Sequence, residues 1–480
     1  MKLEVINFKC DVKDKRIVFP HFWEHTIGAS HATMALRSDW QKQLSRCTKE
    51  LGFKHVRFHG LLSDNMYTLV DQDNTYIYSF FNIDQICDFL LSIGMRPFME
   101  LSFMPAAISS GNKTVFSYKG NIDPPRDYKD WETLISKLIA HLVKRYGIDE
   151  VSKWFFEVWN EPNLKAFWDG SQADYFKLYQ TTVTAIKKID KTLKVGGPAT
   201  ANNEWITDFI VFCKKNNLPV DFISTHHYPT DSFGKPGDDT ITQLSESKRS
   251  VLHDEAKNVK EQAEGKPIYY TEWSTSSNPF DGLHDEPYAA AFIIKTIMEA
   301  SGIVEGYSYW TFSDIFDENY FSSIPFHGGF GLLNINGIPK PAYRAYELLH
   351  RLGNELLTVH GKHKTVDTWV TYKKKEINVL ITNWALPRHP IHTEFIHLQL
   401  ENIEEVKSVF IERIDHDHSN ANKVWKDDGM KDTLNRDEVN MLEAASVLEK
   451  QSIRNTYKDK SISIEVFIPP QGIVFLTLEL

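Results

Sequence analysis

No stretch of 18 consecutive apolar residues occurs in this 480-residue chain, so no segment reads as a membrane-spanning helix. The opening MKLEVINFKCDVKDKR lacks the apolar run that a secretory leader carries and places acids early. Cysteine is scarce. Cys10, Cys47, Cys87 and Cys213 lie far apart with no CxxC spacing and read as buried free thiols, not as a disulfide frame or a metal knot. A reducing cytoplasm is therefore the expected location, although a leader already removed would look the same. Excess positive charge is also missing. The net charge is −10 and no basic run is interleaved with aromatics, which argues against nucleic acid as a partner. There is no phosphate-cradling glycine loop, no GxSxG elbow, no internal repeat and no low-complexity tract.

What is present is aromatic and periodic. Aromatics reach 13% and crowd certain strand ends. Between residues 25 and 350, short apolar runs alternate with longer amphipathic stretches: HTIGASHA, HVRFHG, RPFMELSF, KWFFEVWN, LKVGGPA, VDFISTHHY, KPIYYTEW and VEGYSYWTF. Near-continuous apolar strands are those covered on both faces, hence parallel ones. Ser38 with Gln41 reads as a capping box for a helix that Gly52 ends, and Ser171 with Asp174 as a second one. Eight strand–helix units predict a (β/α)8 barrel over residues 21–352, with large loops in 116–130 and 228–240. Beyond it, TVDTWVTYK, INVLITNW, SISIEVFI and IVFLTLEL predict an antiparallel β-sandwich over 353–480, with RDEVNMLEAASVLEK as a surface helix. Residues 1–20 form an N-terminal segment whose packing on the β domain stays open.

A parallel barrel binds its ligand at the carboxyl ends of its strands. The polar residues there are His59, Asn160 and Glu161, His226, His227 and Tyr228, Glu272, then Trp310 and Asp314. Two glutamates on strands four and seven face each other across the axis, as glycoside hydrolysis requires: one protonated to release the leaving oxygen, one ionised to meet the sugar. Trp159, Trp168, Trp273 and Trp310 offer flat faces for a sugar ring and would desolvate a carboxyl beside them. His226 and His227 are adjacent, so a strand would point them to opposite faces; no metal site is expected and no cofactor is needed. Parity places Arg57 below His59 inside the barrel, where a buried arginine needs an anion from Glu157 or Glu272. A pair with Glu272 would keep that residue ionised beside a protonated Glu161. Both Asn160 and Glu161 must reach the sugar, so a bulge or turn is expected at that strand end.

EVWNEPN followed by TEW, each closing a strand, resembles the clan A glycoside hydrolases. VRFHGLLSDNM, VGGPAT, YWTFSDIFDE and FHGGFGLLNINGIPKPAYRAYELL narrow the resemblance to family 39 and its bacterial β-xylosidases. The resemblance implies Glu161 as acid/base and Glu272 as nucleophile. It further implies His59, Asn160, His226, Tyr228, Trp310 and Glu318 as residues around the sugar, with Arg57 in support. His227 and His31 read as structural. It also suggests an oligosaccharide or glycoside substrate, and a homo-oligomer, often a tetramer. The chain departs from the family's habit at Trp273 and His227. An α-L-iduronidase-like enzyme and a sugar-binding barrel without catalysis stand as the alternatives to an exo-acting β-xylosidase.

Overall fold

The computed structural model describes residues 5–231, 235 and 237–480. Eight parallel strands, each overlapping one predicted run, form a single sheet in chain order: Thr26–His31, His55–His59, Arg96–Leu101, Phe155–Val158, Lys194–Thr200, Phe222–His226, Ile268–Trp273 and Gly306–Tyr309. They are called barrel strands one to eight. The first and last approach closely enough to shut the barrel, with the Phe312 amide donating to the Gly28 carbonyl at 3.0 Å. Only glycine fits at position 28, because a Cβ there would lie 2.6 Å from the Trp310 ring. Every residue of strands two and four is buried, which explains why these segments read as unbroken apolar runs.

The helices between them follow the amphipathic pattern. Ser171 and Asp174 form the reciprocal capping box, and Phe176, Tyr179, Val183 and Ile186 of Gln172–Ile189 face the core. The expected Ser38 cap does not form. The chain enters from the 3-10 turn Ala32–Leu36, so Ser38 already lies within the helix Ser38–Leu51, and no side chain caps it. Gly52 ends that helix in the left-handed region, at φ 76°. All four cysteines are free and buried. No helix among the described residues is long and apolar enough to cross a membrane.

The remaining chain forms two further sheets. A seven-stranded antiparallel sheet has Glu376–Asn383 and Gly472–Glu479 near its centre. A four-stranded sheet contains Glu394–Glu401, Ser461–Ile468 and, paired in parallel at its edge, Val5–Asp11. In Gly472–Glu479, Val474, Leu476 and Leu478 enter the core between the two sheets, while Ile473 and Phe475 enter the barrel's core. The sheet is thus buried on both faces, one against its partner sheet and one against the barrel helix Pro287–Glu299. The expected surface helix is Arg436–Ala445; with Ala421–Asp427 it forms a small cluster in which Trp425 and Leu442 pack with Phe326 of the barrel's last loop. Of the expected loop 228–240, residues 232–234 and 236 lie outside the described residues.

Candidate active site

A pocket of about 310 Å³ opens at the carboxyl ends of the barrel strands. His59, Asn160, Glu161, Tyr228, Glu272, Trp310 and Glu318 all line it, together with Phe116, Phe167, Asp231 and Phe330. Breaks in regular strand geometry deliver the two glutamates. Trp159 at φ 72° and Glu161 at φ 44° flank Asn160 in the left-handed region, so the end of strand four turns twice and presents Asn160 and Glu161 together. In strand seven, Tyr269 and Thr271 face inward by ordinary alternation. The register then slips against both neighbours before Trp273, bringing Glu272 inward as well.

The structure corrects one expectation. Trp159, Trp168 and Trp273 do not line the pocket. They are fully buried behind it, Trp159 against Trp168 at 4.9 Å and Trp273 stacked on Tyr307 at 4.5 Å. Trp310 alone of the four reaches the cavity, 4.7 Å from the His59 ring. The other apolar walls come from loops. Phe116 lies 6.0 Å from His59 and 5.4 Å from Phe167, and its loop is clasped to the loop after strand eight through the Ser117 amide and the Glu318 carbonyl at 2.7 Å.

Arg57 is fully buried beneath the pocket, and both anions considered for it are bonded at once. It donates to Glu157 at 2.6 Å, to Glu272 Oε1 at 2.7 Å and to the Asn160 side-chain oxygen at 2.9 Å, and pairs with Glu100 at 2.8 Å. Glu100 was not anticipated, although an acid inside RPFMELSF was a visible signal. It also holds His59 Nδ1 at 2.7 Å. Burial alone would discharge His59, but Glu100, then Glu272 and Glu318, outweigh it and raise its pKa to about 9. Tyr228 donates its hydroxyl to Glu272 Oε2 at 3.0 Å, so each oxygen of that carboxylate is held. Glu161 is different. Burial lifts its pKa to about 7, only partly opposed by His59 and Arg57. Glu318 is lifted to about 8 by burial, which outweighs the pull of the His59 cation and is aided by the nearby Glu272 charge.

His226 does not line the cavity. It lies under the acid, with Nδ1 2.9 Å from Glu161 Oε1 and Nε2 3.0 Å from the Thr271 hydroxyl. Thr271 has one proton and donates it to Glu157 at 2.8 Å, so its oxygen accepts from His226 Nε2–H. Burial keeps this imidazole neutral, with its pKa lowered to about 4, and Nδ1 is left as an acceptor. The chain therefore ends on a proton held by Glu161. His227 is buried beside Asn203, and His31 is stacked on Tyr118 at 3.6 Å, behind the wall.

Glu161, His226 and Glu272 each place an atom within 4.8 Å of one another, a spacing compatible with metal ligation. The donor set does not favour it, since Glu272 already meets the Arg57 cation and a second cation would sit against the first. The described residues contain one other such group, His21, Glu24 and His350, in which both rings bond the Glu24 carboxylate at 2.7 and 2.8 Å. Asn160 Nδ2 and Glu318 Oε1 are buried in the pocket without a hydrogen bond, as suits groups that receive a ligand's hydroxyls.

Known proteins resemble this chain over most of its length. The family model described as "Glycosyl hydrolases family 39" matches residues 6–460. A β-xylosidase of Caldicellulosiruptor saccharolyticus is 48% identical over 464 residues, 95% of each chain. One of Geobacillus stearothermophilus is 35% identical, covering 92% of this chain and 89% of its own. The solved structure of a monomeric β-xylosidase from Caulobacter crescentus CB15 superimposes with a TM-score of 0.89 at 32% identity, covering 99% of both chains.

Proposed function

The chain belongs to the glycosyl hydrolases of family 39, and on that premise we propose that it is a retaining, exo-acting β-D-xylosidase that frees xylose from the non-reducing ends of xylo-oligosaccharides. One observation carries the mechanism: two carboxyl groups meet within 4.8 Å at the barrel mouth in opposite environments. Such closeness suits a nucleophile, since retaining enzymes space the pair by roughly 5–5.5 Å and inverting ones leave room for a water.

Glu272, held by Arg57 and Tyr228, attacks the anomeric carbon from one face. Glu161 gives its proton to the glycosidic oxygen, whose bond to that carbon breaks. In the second step Glu161 takes a proton from water, the water oxygen bonds to the anomeric carbon, and the Glu272 ester is released. Asn160 Nδ2 and His59 bind hydroxyls on the sugar, and Glu318, carrying a proton near neutrality, can donate to another. Phe116, on a loop clasped to the loop after strand eight, walls one side of the cavity, which supports removal of single terminal sugars. The one cation of the walls, His59, is already held by Glu100, and no lysine or arginine among the described residues lines them to receive an iduronate carboxylate, so a neutral pentose is the better fit.

The test is proton NMR of an aryl β-D-xyloside during hydrolysis, with a Glu272→Gln protein alongside. β-Xylose appearing before its anomer, with the variant losing at least about 10⁴-fold in kcat, is expected. Turnover of an aryl α-L-iduronide in place of the xyloside would overturn the glycone assignment, and α-xylose appearing first would overturn retention.

A further inference from the structure

Large aromatic side chains exposed at a functional mouth need a reason, because their burial is worth more elsewhere. Phe280 and Tyr320 are 42% and 57% exposed, yet they stack on each other, centroids 5.1 Å apart and planes 12° from parallel. Phe280 comes from the loop after strand seven and Tyr320 from the loop after strand eight. Their chain neighbours Pro279 and Asn319 line the pocket itself, so the ring pair stands at its rim. Phe280 also borders a second hollow of about 460 Å³, lined by Asn278, Asp281, Glu286 and Lys426 among others. Lys426 belongs to the helix Ala421–Asp427 of the C-terminal region, which reaches the barrel mouth through its ion pair with Glu286.

We propose that the Phe280–Tyr320 pair and the hollow beside it hold the leaving-group side of the substrate, the second and third xylose units of a xylo-oligosaccharide. This rests on the xylosidase reading above. A β-xylopyranose carries all its hydroxyls equatorially, so both ring faces present axial C–H groups, the complement of an aromatic face. Each ring of the pair uses one face for its partner and offers the other. Polar groups around the hollow, the Asn278 amide, the Asp281 and Glu286 carboxylates and the Lys426 ammonium, suit the equatorial hydroxyls at the ring's edge. The Phe116 loop walls one side of the glycone pocket, and the reducing-end sugars must leave over some other part of the rim. The ring pair and the hollow that Phe280 borders mark that part.

The competing explanation is mechanical, a staple between the two loops. Kinetics separates them. Xylotriose carries the whole leaving group, whereas β-D-xylosyl fluoride carries one atom that cannot reach the rim. Phe280→Ala and Tyr320→Ala are each expected to lower the ratio of kcat/KM for xylotriose to kcat/KM for the fluoride by about tenfold, while Phe280→Tyr retains it. An equal fall on both substrates would show a staple and overturn the proposal, as would a ratio unmoved within about twofold in both alanine variants. A wild-type protein that leaves the fluoride intact would overturn the xylosidase reading itself, and this proposal with it.

Discussion

The two ends of the barrel are built from the same eight strands and could hardly differ more. At the amino end Phe98, Phe155, Phe222 and Tyr269 close the interior as an aromatic plug, with His25 stacked on His55 at 4.5 Å. Register there is regular, Phe155 opposite Phe98, and the large rings fit because small residues face them. A Cβ at Gly196 would fall 2.4 Å from the Phe222 ring, and one at Gly306 would fall 2.5 Å from Tyr269. Even its histidines are held neutral: burial drives His25 well below its usual pKa, and His55 to about 4. At the carboxyl end the register slips in strands one, five, six and seven, and the interior fills with charge: Arg57, Glu100, Glu157, Glu272 and a charged His59. Regular pairing fills the barrel's floor with rings. Broken pairing gathers its chemistry.

If that division is sound, a change at the floor should cost stability and spare the chemistry. Phe155→Ala is expected to destabilise the fold by about 3–5 kcal/mol, the usual cost of emptying a large aromatic site. Its kcat on an aryl xyloside, measured well below the lowered Tm, should stay near the wild-type value. A kcat that collapses with the plug would break the comparison, since floor and mouth would then be one mechanical unit. The mirror experiment is Arg57→Lys. A single ammonium cannot reproduce a fork bonded to Glu157, Glu272, Asn160 and Glu100. A loss of about 10²–10³ in kcat is expected, with the basic limb of the pH–rate profile moved to higher pH because the Arg57 cation that opposes the raised Glu161 pKa is displaced. A loss with both limbs in place would mean that Arg57 only shapes the pocket.

The same division explains what could be read from sequence. The eight strands were legible because burial on both faces leaves continuous apolar runs. Parity then placed Arg57 correctly, since strand two keeps its alternation as far as His59. Trp159 and Trp273, expected beside the sugar, lie behind the wall because the chain leaves regular alternation at both strand ends. The positive φ of Trp159 and the register slip before Trp273 cause this, and neither leaves a mark in residue type. His226 was expected among the sugar's ligands for the same reason: its strand end was known, but not that Glu161 would turn over it. Phe116, Phe167 and Phe330 arrive from loops, where no period exists to place them. Glu100 and the alternating edge strand VINFKCD were readable in principle, the one as a lone acid in an apolar strand, the other as exposed and buried residues in strict turn.

The smallest effect is also the sharpest probe of the mouth. Burial raises Glu161 from an ordinary value of 4.5 to about 7. Below the lower value both folded and unfolded chains hold the proton, and the folded state pays nothing for it. Between the two, the folded chain keeps a proton that the unfolded chain has released, so stability is lost as pH rises, up to the folded value, and stays lost above it. Glu161→Gln removes the titration while keeping an oxygen for the groups around it. The variant should therefore gain on the wild type between about pH 4.5 and about pH 7, by roughly 3 kcal/mol at most. Urea unfolding of both proteins across that range measures the difference directly. Two curves that run parallel would mean that Glu161 is solvated in the resting protein. The apolar wall would then have no part in holding its proton, and the mouth would differ from the floor in charge alone.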